Sequence, residues 1–328
     1  MGVALKLRPL SLAPVEQALT VPTNVAARLE PRLSALAPGA VLPGGYTLGA
    51  CIGSGGMGRV FKAEQRSLGR PVAIKIAHPH VVANPSVLAR LSVEAIAASR
   101  VLHSGSVKIY DFRAASDHSP FLVMEHIEGR RLSDFVKRPA MSVRRCVGLV
   151  VQLLWTLEEA HRSGVLHRDV KPDNILVTTD RAGREQVKLV DYGLALVTDG
   201  ERVLGSTLPG VMYGTPGYMS PEQADGEPVD ARTDVYSAAV VLNALLTCCS
   251  PSAAMVRSSG GEAGVIARSI PAPLALILAR ALENNPMRRL SSAADFAHRL
   301  TAAMTKLARV DRTLTLHDVS VPLLDHCG

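Results

Sequence analysis

An α+β fold in two unlike halves is predicted by the way the hydrophobic pattern changes along the chain. From Tyr46 to Ile127, short apolar runs with β-like alternation are interrupted by one helical pattern. Beyond residue 128, apolar residues three and four apart prevail. A length of 328 residues accommodates two modest cores. The third observation is a pair of polar loops set between apolar segments: V-L-H-R-D-V-K-P-D-N (Val165 to Asn174) and V-K-L-V-D-Y-G (Val187 to Gly193). The carboxylates Asp169 and Asp191 with the amide Asn174 on such loops suit a proton acceptor placed beside a divalent metal.

Composition narrows the class. With 47% hydrophobic and 20% charged residues, the chain reads as ordinary globular protein. A net charge of +7 would suit acidic partners, but the basic residues are scattered and none of their runs is interleaved with aromatics. Nucleic acid is therefore not the expected partner. The five cysteines are an odd number without C-x-x-C spacing, so neither a zinc site nor a disulfide framework is expected. No apolar stretch reaches the roughly 18 to 20 residues of a membrane helix. Lys6 and Arg8 are not followed by the apolar core of a secretory signal. The expectation is a cytoplasmic protein without membrane insertion.

The elements follow in order. Residues 1–44, with prolines at 9, 14, 22, 31, 38 and 43, read as a Pro/Ala-rich flexible extension. Y-T-L-G-A-C-I and R-V-F-K-A-E-Q then flank G-S-G-G-M-G, which places a G-x-G-x-x-G between two strands. A dinucleotide site would have a helix after it. A glycine hairpin instead brings backbone N–H groups close to phosphates, although a structural turn has the same spacing. P-V-A-I-K-I reads as a third strand on which Ala73 and Lys75 share a face. Its neighbours Val72, Ile74 and Ile76 imply burial, and a buried ammonium needs an anion. Asn84-Pro85 opens a helix with Leu88, Leu91, Ala95, Ala98 and Leu102 at helical spacing. Glu94, in its middle, is either a solvated face residue or the anion for Lys75. Val107–Phe112 and Pro120–Ile127 read as further strands, the second running into M-E-H-I-E-G. The boundary between the halves, 45–127 and 128–304, falls there. Ser142 caps a long helix with Val147, Val150, Val151, Leu154, Leu157 and Ala160 inward, ending near Gly164. Asp234 to Leu246 is an apolar helix, Ser291 and Ser292 cap a last helix ending near Met304, and 305–328 form a tail.

In sequence, these motifs resemble a protein kinase catalytic domain over residues 45 to 304, and in wording the eukaryotic-like (Hanks-type) serine/threonine kinases of bacteria. G-x-G-x-x-G-x-V is met by Gly53, Gly55, Gly58 and Val60, and V-A-I-K by residues 72 to 75. H-R-D-x-K-x-x-N is met by His167 to Asn174, D-F-G by Asp191-Tyr192-Gly193, and A-P-E by Ser220-Pro221-Glu222. Each pattern is loose alone; all of them in order are specific. The resemblance implies a bilobal fold, a small β-rich lobe with one regulatory helix and a larger helical lobe. It also implies transfer of the ATP γ-phosphate to protein Ser/Thr hydroxyls, with Mg²⁺ or, in its place, Mn²⁺.

By that resemblance, Ile52, Gly53, Ser54, Gly55, Gly56, Met57, Gly58 and Val60 cover the nucleotide, and Ala73, Met124, Glu125 and Ile127 line its base. Lys75, oriented by Glu94, meets the phosphates, while Asn174 and Asp191 ligate the metal. Asp169 orients the acceptor hydroxyl, Lys171 neutralises moving charge, and Thr215 bridges Asp169 and Lys171. Lys171 and G-T-P-G-Y (Gly214 to Tyr218) indicate the serine/threonine branch. His167 is expected as a packed scaffold residue, Asp234 as a brace for the catalytic loop, and Arg289 as the ion-pair partner of Glu222. Arg168 implies an activation segment that is phosphorylated, with Ser206, Thr207 and Thr198 as candidates, and with self-association as a route to autophosphorylation.

Two rival functions share the pattern. A nucleotide-binding pseudokinase scaffold is disfavoured by the presence of Lys75, Glu94, Asp169, Asn174 and Asp191. A small-molecule kinase is disfavoured by G-T-P-G-Y followed by S-P-E, which shapes a peptide floor. One departure is the short Gly/Ser-rich stretch 247–270, where the family carries an extra helix; docking through that surface is put in doubt, the chemistry is not.

Overall fold

The computed structural model describes residues 37–55, 58–78, 85–115, 118–136, 141–199, 202–204, 214–249, 251 and 270–310. The extension through residue 36, Gly56, Met57, Asn84, Ser206, Thr207, the stretch 252–269 and the tail from 311 lie outside the described residues. Backbone contacts divide the chain into two units. The first is Met1–Leu102, Ser106–Glu128 and Asp191–Ser206; the second is His103–Gly105, Gly129–Val190 and Thr207–Gly328.

The first unit is built on an antiparallel sheet. Its strands are β1 (Val41–Leu42), β2 (Tyr46–Gly55), β3 (Gly58–Gln65), β4 (Arg70–Ala77), β5 (Ile109–Ala115) and β6 (His118–Glu125), in the order β1-β2-β3-β4-β6-β5. The β-branched and aromatic residues of β2, β3, β4 and β6 interleave on one face, where Tyr46, Leu48, Phe61, Val72, Ile74, Phe121 and Val123 form a core. β4 has neighbours on both edges, which is why its residues Val72 to Ala77 are all buried. Helix α1 (Pro85–Arg100) packs against β5 and β6. A hairpin of Leu196–Asp199 with Arg202–Leu204 completes the unit.

Two expectations shift here. Strands β5 and β6 pair over Ile109–Ala115 and His118–Glu125, about two residues from the expected runs at either end, because apolar runs mark burial whereas strands end where pairing ends. Leu102 is 81% exposed, since α1 has stopped at Arg100 and its apolar stripe no longer continues.

The second unit holds α2 (Ser133–Val136), α3 (Val143–Arg162), α4 (Pro221–Ala224), α5 (Ala231–Thr247), α6 (Ala272–Ala281) and α7 (Ala293–Val310). Short strands β7 (Arg130–Arg131), β8 (Val165–Leu166), β9 (Ile175–Thr179) and β10 (Glu185–Leu189) accompany them, and β7, β9 and β10 make a sheet ordered β10-β9-β7. Ser142 caps α3 by accepting from the Arg145 N–H. Leu153, Leu154 and Leu157 of α3 are fully buried, each contributing roughly 1.5–3 kcal/mol of burial. Val151 is only half-buried; the inward face runs instead through Leu149 and Leu153. α5 is buried on all sides from Thr233 to Leu246 and packs against α2, α3, α6 and α7, so it is the axis of this unit. α7 continues through Val310, beyond the expected end near Met304. Among the described residues no helix is long and apolar enough to cross a membrane.

Candidate active site

Each unit carries its own set of chemical groups. In the first, β4 brings Lys75 inward on a strand whose neighbours are apolar. Its Nζ lies 2.9 and 2.7 Å from the two Glu94 oxygens and 3.0 Å from Asp191 Oδ1. Lys75 is 9% exposed and Glu94 3%, so the ammonium has its anion and Glu94 is no solvated face residue. Burial alone would lower the Lys75 pKa, but Glu94 and Asp191 outweigh it and hold it above the ordinary value. Burial raises the Glu94 carboxyl, assisted by Asp191 and opposed by Lys75. Two carboxyl groups face the one ammonium, and Asp191 is the more exposed of them. Asp191 itself has φ +64°, a left-handed conformation unusual for a non-glycine residue.

The glycine hairpin is formed by the ends of β2 and β3, with Gly53 opposite Val60, Ser54 opposite Arg59 and Gly55 opposite Gly58. Val60 in turn pairs with Lys75, and Ala73 pairs with Met124, so these expected nucleotide residues share one stretch of sheet. Glycine is needed at 58, where a Cβ would collide with the Ile76 carbonyl. Ile52 is half exposed beside them, Glu125 pairs with Val72, and Ile127 follows the end of β6. Thr198, in the hairpin beyond Asp191, is exposed, and its carbonyl accepts from Arg100 at 2.9 Å.

In the second unit the segment after β8 holds a ring of three side chains. Thr215 Oγ1 donates to Asp169 Oδ1 at 2.7 Å, and Lys171 Nζ donates to Asp169 Oδ2 at 2.8 Å and to Thr215 Oγ1 at 2.7 Å. Asn174 Nδ2 donates to both the carbonyl and Oδ2 of Asp169, at 3.0 Å each. With its amide hydrogens committed there, Asn174 offers its oxygen Oδ1 as a hard ligand. The Asp191 carboxylate in the first unit and the Asn174 oxygen in the second are each of the hard kind that Mg²⁺ takes.

The loop that carries Asp169 is strained, Arg168 having φ +62°. A buried carboxylate holds it: Asp234 Oδ2 accepts from the His167 N–H at 2.9 Å and Oδ1 from the Arg168 N–H at 2.8 Å. His161 Nε2 lies 2.8 Å from Asp234 Oδ2. Burial would raise the Asp234 pKa, but His161, His167 and these bonds bring it below the ordinary carboxylate value. Gln223 Nε2 donates to the Arg168 carbonyl at 2.7 Å, and Gly214, with φ +136°, passes so close that a Cβ would lie 3.1 Å from that oxygen. His167 is fully buried, with Nε2 3.3 Å from the Val190 carbonyl. Arg289 grips Glu222 through two bonds of 2.6 Å, and Thr233 adds a third at 2.8 Å.

Sequence reasoning missed Gln223, His161 and Ser106, whose Oγ lies 2.9 Å from the Tyr192 hydroxyl. Of these, Ser106 answers a sequence feature: Tyr192 stands at the Phe position of D-F-G, and a buried phenol needs a partner.

A β-rich unit with a paired lysine and a helical unit with a braced carboxylate loop define a phosphoryl-transfer domain of the kinase type. The protein kinase domain family model matches residues 46–305, and the chain belongs to that family. Its relatives include the serine/threonine-protein kinases pkn3 and pkn2 of Myxococcus xanthus, 37% identical over 285 and 279 residues. Those matches cover 81% and 82% of this chain but 51% and 33% of the relatives, so it spans about half their length or less. PknB of Mycolicibacterium smegmatis is 38% identical over 62% of this chain and 32% of its own. Among solved structures, the crystal structure of the Mycobacterium tuberculosis PknI kinase domain has the same fold. The TM-score is 0.65 at 24% identity, over 81% of this chain and 99% of that one.

Proposed function

We propose that the chain is an ATP-dependent kinase that phosphorylates serine and threonine hydroxyls of proteins, with 45–127 and 128–304 as its two lobes between an extension and a tail. One observation carries the reading: Asp169 is fixed by Lys171, Asn174 and Thr215 with its carboxylate as acceptor. Mg-ATP, when bound, supplies the phosphoryl group and the cation that neutralises its charge. Asp169 accepts the hydrogen bond of the incoming hydroxyl and aims it. Lys171 offsets charge on the transferred group, and Thr215 holds Lys171 and Asp169 in register. Lys75, kept protonated and aimed by Glu94, takes the nucleotide phosphates under the glycine hairpin, while Asp191 and Asn174 hold Mg²⁺ or Mn²⁺. Ile52, Ala73, Met124, Glu125 and Ile127 line the nucleotide base. Phosphorylation of Ser206, Thr207 or Thr198 by a second copy of the chain fits the arginine preceding Asp169, and a cytoplasmic setting fits the composition.

Labelled γ-phosphate transfer to a generic Ser/Thr protein tests this. Wild type transfers label and Asp169→Asn loses at least about 100-fold of the rate. Equal incorporation by both would remove Asp169 from the mechanism, and no incorporation by wild type would favour the scaffold reading. Label appearing on small acceptors in preference to protein would point to a small-molecule kinase. Mass spectrometry of the Mg-ATP-treated protein then locates the modified hydroxyls; an active protein unmodified at all three drops the activation-segment proposal.

A further inference from the structure

We infer that the hydroxyls of Ser106 and Tyr192 form a latch that holds Asp191 in the conformation in which it serves the site, making both of them positioning residues. Tyr192 is fully buried and Ser106 is 1% exposed, and their oxygens are 2.9 Å apart. Ser106 Oγ also lies 3.5 Å from the Val107 carbonyl, too long to count as a strong bond. Two polar side chains placed this deep are costly unless they satisfy one another. Here they do, from positions 86 apart in the chain.

What the pair fixes is the residue beside it. Asp191 has φ +64°, and a non-glycine residue stays in that region only when its surroundings over-determine it. Its carboxylate is held on one side by Lys75 Nζ at 3.0 Å. On the other side the next residue, Tyr192, is packed and bonded to the segment leading into β5. A phenylalanine would supply the packing; the hydroxyl adds direction and a second anchor. Backbone strain at Asp191 is of the same order as the net worth of one hydrogen bond, so losing that bond shifts the balance of conformers there. Loss of the latch should therefore lower its population and weaken metal use in proportion.

The inference rests on the proposed role of Asp191 as a metal ligand, and the test separates the two. Three variants, Tyr192→Phe, Ser106→Ala and the double variant, are compared with wild type by amide hydrogen exchange of residues 191–195 without nucleotide. The Mg²⁺ concentration giving half-maximal phosphoryl transfer is measured alongside. Tyr192→Phe is expected to raise both by about fivefold, the net worth of one buried hydrogen bond, with KM for the protein acceptor unchanged. Ser106→Ala should do comparable harm, since it removes the same bond from the other side. The double variant should do no more harm than the worse single variant, a non-additivity that general loss of packing does not give. Unchanged exchange and unchanged Mg²⁺ dependence in Tyr192→Phe would overturn the latch, as would additive losses in the double variant. An Asp191→Asn control that keeps wild-type Mg²⁺ dependence overturns the metal role alone, and the exchange data then decide the latch.

Discussion

At the scale of single residues, the site depends on groups whose charge is set by burial and by a few short bonds. Asp234 accepts from two backbone N–H groups and contacts His161, and Glu222 accepts from Arg289 and Thr233. Burial would push both carboxyls up, yet their partners bring both below ordinary values. A depressed folded pKa contributes stability that is fully present above the unfolded value and is lost as pH falls through the folded one. The contribution of these two carboxyls to the unfolding free energy, measured in urea, should therefore be constant near neutrality and fall below about pH 4. Asp234→Asn should be less stable at pH 7 and lose less of its remaining stability on acidification; an unaltered pH slope would contradict this. Thr215 gives a second test. Its hydroxyl bonds both Asp169 and Lys171, so Thr215→Ala should lower kcat roughly 10- to 100-fold, with KM for ATP little changed. Thr215→Ser should recover most of it.

At the scale of elements, the glycine hairpin separates space from conformation. A Cβ at Gly58 would strike the Ile76 carbonyl across β3 and β4, whereas at Gly55 it would meet nothing within 4 Å. Gly58→Ala should lower stability by about 1–3 kcal/mol and raise KM for ATP, while Gly55→Ala should melt like wild type. Paired thermal melts with ATP titrations decide it. The hairpin, Lys75 on its strand and the two polar loops were legible in the sequence because each motif reflects a local backbone demand: close approach, burial beside apolar neighbours, ligands on short loops. What lay hidden depends on partners distant in the chain. Nothing near His161 announces Asp234, 73 residues on, and nothing near Ser106 announces Tyr192. The apolar runs misplaced β5, β6 and Leu102 because hydrophobicity reports burial more faithfully than it reports where pairing or a helix ends.

At the scale of the whole molecule, stability of the second unit is concentrated around α5, which is buried on all sides and supplies both Asp234 and Thr233. The Glu222–Arg289 pair joins the segment before α5 to the turn before α7. Both side chains are almost wholly buried, so removing one strands the other's charge. Arg289→Ala should cost about 3–5 kcal/mol and lower the melting temperature by roughly 6–20 °C. Differential scanning calorimetry measures this directly, and a shift under about 3 °C would show that the pair is dispensable.

The division of the chain into units has a consequence for how the protein is made. The first unit is not a continuous stretch: it takes Asp191–Ser206 from beyond Gly129–Val190 of the second. During synthesis the sheet and α1 emerge early, but Lys75 and Glu94 wait for Asp191 until another 62 residues (129 to 190) have been added. When that segment arrives, α5, α6 and α7 are still unmade. Until then Lys75 has been made with one of its two carboxylates, and Ser106 ahead of the phenol it meets. Completion of the early unit is thus timed by the translation of the late one, and a gene cut at the visible boundary near residue 128 would deliver neither unit whole.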